Sequence, residues 1–329
     1  MKLLSRLGAL RAASLATIAL IGVTTATVAT AQTYPQRPVT LIVPYAAGGP
    51  TDQHLRAVAE EAGKALGQPV IIESRPGASG TNGAAALVRA APDGYTLAVL
   101  PASVYREPYI NKVAFDPKTS FSYAILLSDY TFGLAVKADA PWKTWKDFAA
   151  DAARRPGKIN VGATGAVGTP RIVMDEAGEA ARLQFNMVPF KGDAEVTNAI
   201  LGGHIDAAPL SGVAVPHIDA GKMRYLVMLT PHRVKRYPDV PTLREQGVDA
   251  VIDSPYGIAG PAGMDPARVQ IVHDAFKKAL ESAPGLRVLE QLNQQINYMG
   301  PDDYRKYALA ATAREKDRVA RLRQRGLLD

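Results

Sequence analysis

The chain has 329 residues, 47% of them hydrophobic and 21% charged, with no cysteine and a formal net charge of +7. That length accommodates two ordinary domains, and the lack of cysteine excludes disulfides, thiolate metal sites and thiol nucleophiles. The surplus cations are scattered rather than banked on one stretch, which argues against a nucleic-acid face and suits the steering of small anions.

Residues 1–31 read as a cleaved signal peptide. Lys2, Arg6 and Arg11 precede an apolar run from Ala12 to Val23, and Ala29-Thr30-Ala31 offers a small-x-small cleavage site. The run falls short of the roughly 20 residues of a comfortable membrane span. Without a twin arginine the general secretory route is expected. No later stretch is long and apolar enough to cross a bilayer, so a soluble periplasmic protein is expected.

Strand-like and helical runs then alternate. Val39 to Val43 is a strand, Gln53 to Leu66 a helix with Leu55, Val58, Ala59, Ala62 and Leu66 on one face, and Pro69 to Glu73 a second strand. A helical Gly83 to Ala90 and a strand Tyr95 to Leu100 complete a βαβαβ unit, the mark of a parallel sheet covered by helices. The pattern restarts with strands at Phe132 to Val136, Lys158 to Val161, Phe185 to Phe190, His204 to Leu210 and Arg224 to Leu229. Helices at Trp145 to Arg154, Pro170 to Ala180, Asp193 to Leu201 and Val213 to Ala220 lie between them. The segment "YGIAGPAG" reads as a strand returning to the first unit, followed by a helical Pro266 to Leu292 and a basic, solvated helix from about Asp302 to Leu322.

The fold class expected is α/β with two lobes, each a mostly parallel sheet flanked by helices, and a ligand cleft between them. Residues 32–131 plus 254–329 form lobe 1 and residues 132–253 form lobe 2, with crossings near Tyr130 to Gly133 and Asp253 to Tyr256. Lobes joined in this way can hinge over a ligand.

Ligands in such sheets bind at the carboxyl ends of parallel strands. "IVPYAAGGPTD", residues 42–52, is one such loop: Thr51 or Asp52 can cap the following helix, and Gly48 and Gly49 leave its N–H groups uncovered, a ready anion site. "VGATGAVGTPR", residues 161–171, repeats the design, with Thr169 and Pro170 marking a helix start. Each loop alone also serves plain turn geometry; facing each other across a cleft they make an anion clamp. Gly162, Gly165 and Gly168 do not follow G-x-G-x-x-G, and no Gly-Lys-Ser/Thr closes either loop, so nucleotide binding is not expected. A third glycine-rich turn, "RPGASGTNG", reads as mainly structural, bordering the cleft at most.

Enzyme signatures are missing: no G-x-S-x-G elbow, no H-E-x-x-H, and five dispersed histidines. His54, two residues after Asp52, reads as a solvated helix position rather than a metal ligand, and His204 and Asp206 as local packing. The chain reads as built to hold something rather than convert it, with no metal and no cofactor.

"YPQRPVTLIVPYAAGGPTD", "LGQPVIIESRPGASGTNGA", "APDGYTL", "RPGKINVGATGAVGTPR", "VPFKGDAEVTNAILGGHIDAA", "VPHIDAGKMRYL" and "YPDVPTLREQG" follow one another in order. This resembles the periplasmic substrate-binding proteins of tripartite tricarboxylate transporters, the Bug receptors, from about Tyr34 to the carboxyl end. The resemblance implies a two-lobed type II binding protein that closes over a small carboxylate. Backbone amides and bridging waters would hold one carboxylate at Pro44 to Asp52, bringing in Tyr45, Gly48, Gly49, Pro50, Thr51 and Asp52. The second lobe would add Thr164, Gly165, Gly168, Thr169 and Arg171, with Ser211 as a further ligand-binding residue.

Two departures bear on the ligand. Arg171 stands where the family often has histidine, and Ser103 and Arg106 where many members have a threonine- or asparagine-rich loop. Guanidiniums match carboxylates in two places, so two of them near the cleft favour a dicarboxylate, aliphatic or aromatic; a solvated rim position is the alternative for both. The implied partners are two integral membrane transporter subunits. A sensor kinase in their place, or an enzyme acting on a carboxylic acid, are the other readings; a monomer is expected and nucleic acid is not.

Overall fold

The computed structural model describes residues 34–328. The export signal read from residues 1–31 lies outside them. Arg37–Asp329 form one compact unit.

In chain order the regular elements begin β1 (Val39–Val43), α1 (Pro50–Leu66), β2 (Val70–Ser74), α2 (Asn82–Leu87), β3 (Thr96–Pro101), α3 (Ser103–Arg106) and β4 (Phe121–Asp129). There follow β5 (Gly133–Lys137), α4 (Trp145–Arg154), β6 (Asn160–Thr164), α5 (Thr169–Ala180), β7 (Asn186–Phe190), α6 (Asp193–Leu201), β8 (Ala207–Leu210), α7 (Val215–Asp219) and β9 (Met223–Met228). The chain ends with β10 (Pro255–Pro261), α8 (Pro266–Leu280), α9 (Ala283–Gln291), β11 (Gln295–Met299) and α10 (Pro301–Gln324).

Two sheets organise these elements into two lobes, with strand orders β11-β4-β10-β3-β1-β2 and β7-β6-β8-β5-β9. The pairing is mixed in both, where the sequence led us to expect mostly parallel sheets. β1 runs parallel to β2 and β3, and β6 to β7 and β8, as βαβ crossovers require. β10 is antiparallel to both β3 and β4, and β5 to both β8 and β9. The reason is the chain path. One strand of each sheet arrives from the other lobe and enters from the opposite end. The chain leaves the first sheet after Asp129 and rejoins it at Pro255, and there the two segments touch: Tyr130 N–H donates to Ser254 O (3.3 Å) and Ser254 N–H to Asp129 Oδ1 (3.0 Å).

Central strands are buried on both faces. β3, β8 and β10 consist almost wholly of buried residues, as strands covered on two sides must. Ile42, Leu100, Tyr105, Phe121 and Tyr304 share the core of the first lobe, and Val196, Ile200, Leu210, Tyr225 and Met228 that of the second. Helix α1 packs Leu55, Val58, Ala59 and Ala62 inward and lies against α8; each large apolar side chain buried in this way contributes about 1.5–3 kcal/mol.

Three expectations are corrected. β4 and β11 are strands where no element was expected. The helical stretch Pro266 to Leu292 is two helices, because Ser282 accepts from Gly285 N–H (3.2 Å) and Pro284 opens the second. The basic carboxyl-terminal helix is not merely a solvated face: Arg318 Nε meets Glu176 Oε1 (2.7 Å) and Arg325 Nη1 meets Glu179 Oε2 (2.6 Å), both on α5 of the other lobe. Among the described residues no helix is long and apolar enough to cross a membrane.

Candidate ligand-binding site

Three parallel strands, β1, β6 and β7, each lead through a short loop to a glycine that starts a helix. Gly49, Gly168 and Gly192 are the N-caps of α1, α5 and α6, and none of the three helix starts has a side-chain cap bond. The first N–H groups of a helix have no acceptor within it and carry the positive end of its dipole. All three starts line one cavity, through Gly49, Pro50 and Thr51, through Gly168, Thr169 and Pro170, and through Gly192 and Asp193. An anion placed between α1 and α5 meets two such ends at once, while the third carries the Asp193 carboxylate beside it. The cavity measures about 40 Å³, well below the roughly 300–1,000 Å³ of an ordinary small-ligand site.

Tyr45, Tyr130 and Phe132 wall the cavity, and the hydroxyl-bearing Ser79, Ser103, Thr164 and Ser254 join them. Ser103 is 3% exposed and its Oγ makes no hydrogen bond among the described residues. A buried hydroxyl without a partner is costly, and here it stands in the wall of the cavity, where a ligand's polar atom would satisfy it.

The opening loop differs in detail from its sequence reading. Neither Thr51 nor Asp52 caps α1, because Pro50 takes the first helical position and leaves Gly49 as the cap. Thr51 hydrogen-bonds to the Tyr130 hydroxyl instead, tying the loop to the crossing between lobes. Asp52 reaches back to Gly48 N–H (3.0 Å) and pairs with Arg56 (2.9 Å), so it closes the turn and does not line the cavity. Gly48, at φ +84°, supplies the left-handed turn. Gly49 at φ −73° does not need to be glycine for its backbone.

The two arginines are not where a second carboxylate would meet them. Arg106 is fully buried behind the cavity: Nε contacts Glu315 Oε2 (2.5 Å), Nη1 donates to Val167 O (2.9 Å) and Nη2 to Thr169 Oγ1 (3.2 Å). Its fork is spent on α10 and on the loop before α5, so it is neither a free ligand group nor a solvated rim residue. Arg171 does not line the cavity; it pairs one turn along its helix with Asp175 (2.6 Å). Gly165 and Ser211 lie just outside. A Cβ at Gly165, which sits at φ +75°, would stand 2.7 Å from Ser79 Oγ, so the two lobes touch there backbone to side chain. Gly168 admits no Cβ either, since one would stand 2.1 Å from Thr164 O.

Asp193, first residue of α6, was not singled out in the sequence. It is half-buried in the cavity wall, where Thr164 Oγ1 donates to Oδ1 and Ser211 Oγ to Oδ2 (3.0 Å). Burial pushes its carboxyl above the usual range, while the hydroxyls of Thr164 and Ser211 and the Ser211 N–H pull it back. Burial, and then the charge of Asp193, push the Tyr45 phenol upward. The signal was present: "FKGDAEV" is a third strand-glycine-helix junction of the kind recognised twice elsewhere. Ser79 was likewise passed over within "RPGASGTNG"; it lines the cavity and accepts from Val167 N–H (3.2 Å) across the lobes.

His54 is corrected outright. It is fully buried on α1 with Nδ1 2.7 Å from the Tyr256 hydroxyl, and burial pushes its imidazole down to about 3. It is a neutral core side chain. Asp206, as expected, bonds locally, accepting from Asn160 N–H (2.7 Å).

Residues 54–324 match the model of the tripartite tricarboxylate transporter family receptors. A Cupriavidus necator protein described as "UPF0065 protein in gbd 5′region" is 40% identical over 292 residues, 89% of either chain. Among solved structures, periplasmic binding protein BugD superimposes with a TM-score of 0.84 at 26% identity over 90% of this chain and 99% of its own. MatC from Rhodopseudomonas palustris with bound malate gives 0.80 at 29% identity, over 87% and 100%.

Proposed function

The chain belongs to the tripartite tricarboxylate transporter receptor family, whose members are solute-binding receptors rather than enzymes, and we propose that it captures a small organic carboxylate by closing its two lobes. The observation that carries this reading is the convergence of the uncapped helix starts of α1 and α5 on one cavity. A carboxylate would dock on the N–H groups after Gly49 and Gly168, with the Ser103 hydroxyl completing its contacts. Each charge-assisted hydrogen bond contributes roughly 1.5–3 kcal/mol. MatC, a relative in fold at 29% identity, holds malate, which favours a carboxylate of similar size.

Residues 32–131 with 254–329 move as one body in this reading and residues 132–253 as the other, about the paired segments at Tyr130 and Ser254. The cavity is too small for ligand uptake as it stands, so the lobes part to load it. Residues 1–31 are removed on export, the mature receptor works in the periplasm as a monomer, and two integral membrane subunits receive the ligand. Arg106 and Arg171 are both engaged within the protein, so they lend no preference for a dicarboxylate.

A thermal-shift screen of mono-, di- and tricarboxylates, with sugars and amines as controls, tests the reading. Stabilisation by one or more acids and by none of the controls is expected. Stabilisation by sugars or amines with none by acids overturns it.

A further inference from the structure

The cavity wall holds one charged side chain among the described residues, and it is an acid. Asp193 takes hydrogen bonds from the hydroxyls of Thr164 and Ser211 and from the Ser211 N–H. A carboxylate has about four acceptor sites, so these three donors hold it rigid and leave capacity for one more. The groups around it are the phenols of Tyr45, Tyr130 and Tyr225, which desolvation keeps protonated; the Arg106 guanidinium, whose charge reaches Tyr45, is already paired with Glu315. No uncommitted cation faces Asp193 among the described residues.

We propose, on the footing that the site takes a carboxylate, that Asp193 selects the other end of the ligand: the site accepts a monocarboxylate bearing a hydrogen-bond donor, hydroxyl or ammonium, and discriminates against a second carboxylate. The ligand's first carboxylate is met by the helix starts of α1 and α5, which have no acid in the cavity wall beside them. Whatever group reaches α6 meets a carboxylate fixed by its neighbours in a small cavity. A donor forms a charge-assisted bond there, among the stronger hydrogen bonds proteins make. A second carboxylate meets a like charge there that the single helix start of α6, equivalent to about half a charge, does not cancel, and is accommodated by taking up a proton shared between the two acids.

Matched acids of three to six carbons, ending in methyl, hydroxymethyl, aminomethyl or a second carboxylate, test this by calorimetry with the full mature chain. At pH 8 the hydroxyl- or amino-ended member of the best-fitting length should bind at least about tenfold more tightly than the matched diacid, the equivalent of one charge-assisted bond. Diacid binding, measured in buffers of different ionisation enthalpy, should be accompanied by proton uptake, and donor-ended acids should bind without it. In Asp193→Asn the preference for donor-ended acids over diacids should shrink by at least about tenfold, with circular dichroism melting to check the fold. If that variant does not fold, proton uptake in the wild-type protein decides. Diacids that bind as tightly as donor-ended acids without proton uptake overturn the role of Asp193 while leaving carboxylate capture standing. A folded Asp193→Asn with unchanged ranking does the same. Failure of every acid to bind overturns the carboxylate reading, and this inference with it.

Discussion

Gly165→Ala separates closure from folding. Gly165 lies at φ +75° in the loop before α5, and an added Cβ would meet Ser79 Oγ, Cα and Cβ at 2.7, 2.8 and 2.9 Å. Those distances are well inside contact between carbon atoms, optimal at about 3.5–4.0 Å. Ser79 yields poorly, because it is itself at φ +53° in a tight turn and its hydroxyl is engaged by Val167 N–H. The substitution has two separate costs. The left-handed backbone costs an L-residue roughly 1–2 kcal/mol in any state of the lobes. The contact with Ser79 costs typically 1–3 kcal/mol for an overpacked group, and only when the lobes are together. Stability should therefore fall by the first amount and ligand affinity by the second, about five- to 150-fold in Kd. Gly203→Ala is the control: Gly203 sits at φ +72° with nothing within 4 Å of where a methyl would stand, so it carries the backbone cost alone. Calorimetry with the best acid from the screen, alongside urea unfolding of both variants, reads the two terms. Small-angle scattering should show Gly165→Ala remaining more expanded than the wild type when ligand is added. If Gly165→Ala binds as tightly as Gly203→Ala, the Ser79 contact does not limit closure and the reasoning fails.

Ser103→Ala should leave stability unchanged or slightly raised, since it removes a buried unpartnered hydroxyl, and weaken ligand binding about two- to tenfold, one ordinary hydrogen bond; unchanged affinity in calorimetry would place the ligand elsewhere. Arg106→Met strands Glu315 against Arg318 alone (3.5 Å). Breaking a buried pair from one side costs roughly 3–5 kcal/mol, and urea unfolding should show the low end of that range because Arg318 remains; a loss below about 1 kcal/mol would mean the pair is not formed in solution. Asp129 is held up to about 7 by burial first and then by the neighbouring charge of Asp253, which itself stands 4.0 Å from Arg314. A folded-state pKa above the unfolded one of 3.8 means the folded protein holds a proton that the unfolded chain has lost, so stability from this group declines as pH rises from about 4 to 7 and is flat beyond. Denaturation curves across that range should lose this slope in Asp129→Asn; an identical slope in the variant would assign it to other groups.

Most of the fold was legible because it is written in local periodicity. The apolar spacing of Leu55, Val58, Ala59 and Ala62 announces α1, and it is those residues that pack inward. The return of "YGIAG" to the first sheet was legible too, from an apolar run after a proline, and it became β10. β11, "QINYM", was not. It is a half-exposed edge strand with no alternation, and only its pairing with β4, across more than 160 residues of chain, makes it a strand. Helix α10 looked solvated because charges outnumber apolar residues along it. Its buried stripe is built from Tyr304, Ala308, Ala311, Val319 and Leu322, and small alanines signal packing only when the partner surface is known.

At the candidate site, the helix starts were legible in the sequence and the partners of the charged side chains were not, for one physical reason. A helix start with a bare glycine exposes its N–H groups wherever the rest of the chain goes, so Gly49 and Gly168 could be read from their own neighbours. What a charged side chain does depends on the partner it meets, and that partner is set by the fold. Arg106 looked available for a carboxylate; the carboxylate it found is Glu315, 209 residues away on a helix that also reaches Glu176 through Arg318. That chain of charges runs from Arg106 on α3, through Glu315 and Arg318 on α10, to Glu176 on α5, and joins the two lobes. The arginines that suggested a doubly charged ligand are thereby spent within the protein, Arg106 in holding the lobes together and Arg171 on its own helix, and the charge left in the wall is the opposite one, Asp193. On the proposed role of Asp193, ligand preference follows from which charges the fold leaves over, not from which ones the loops contain.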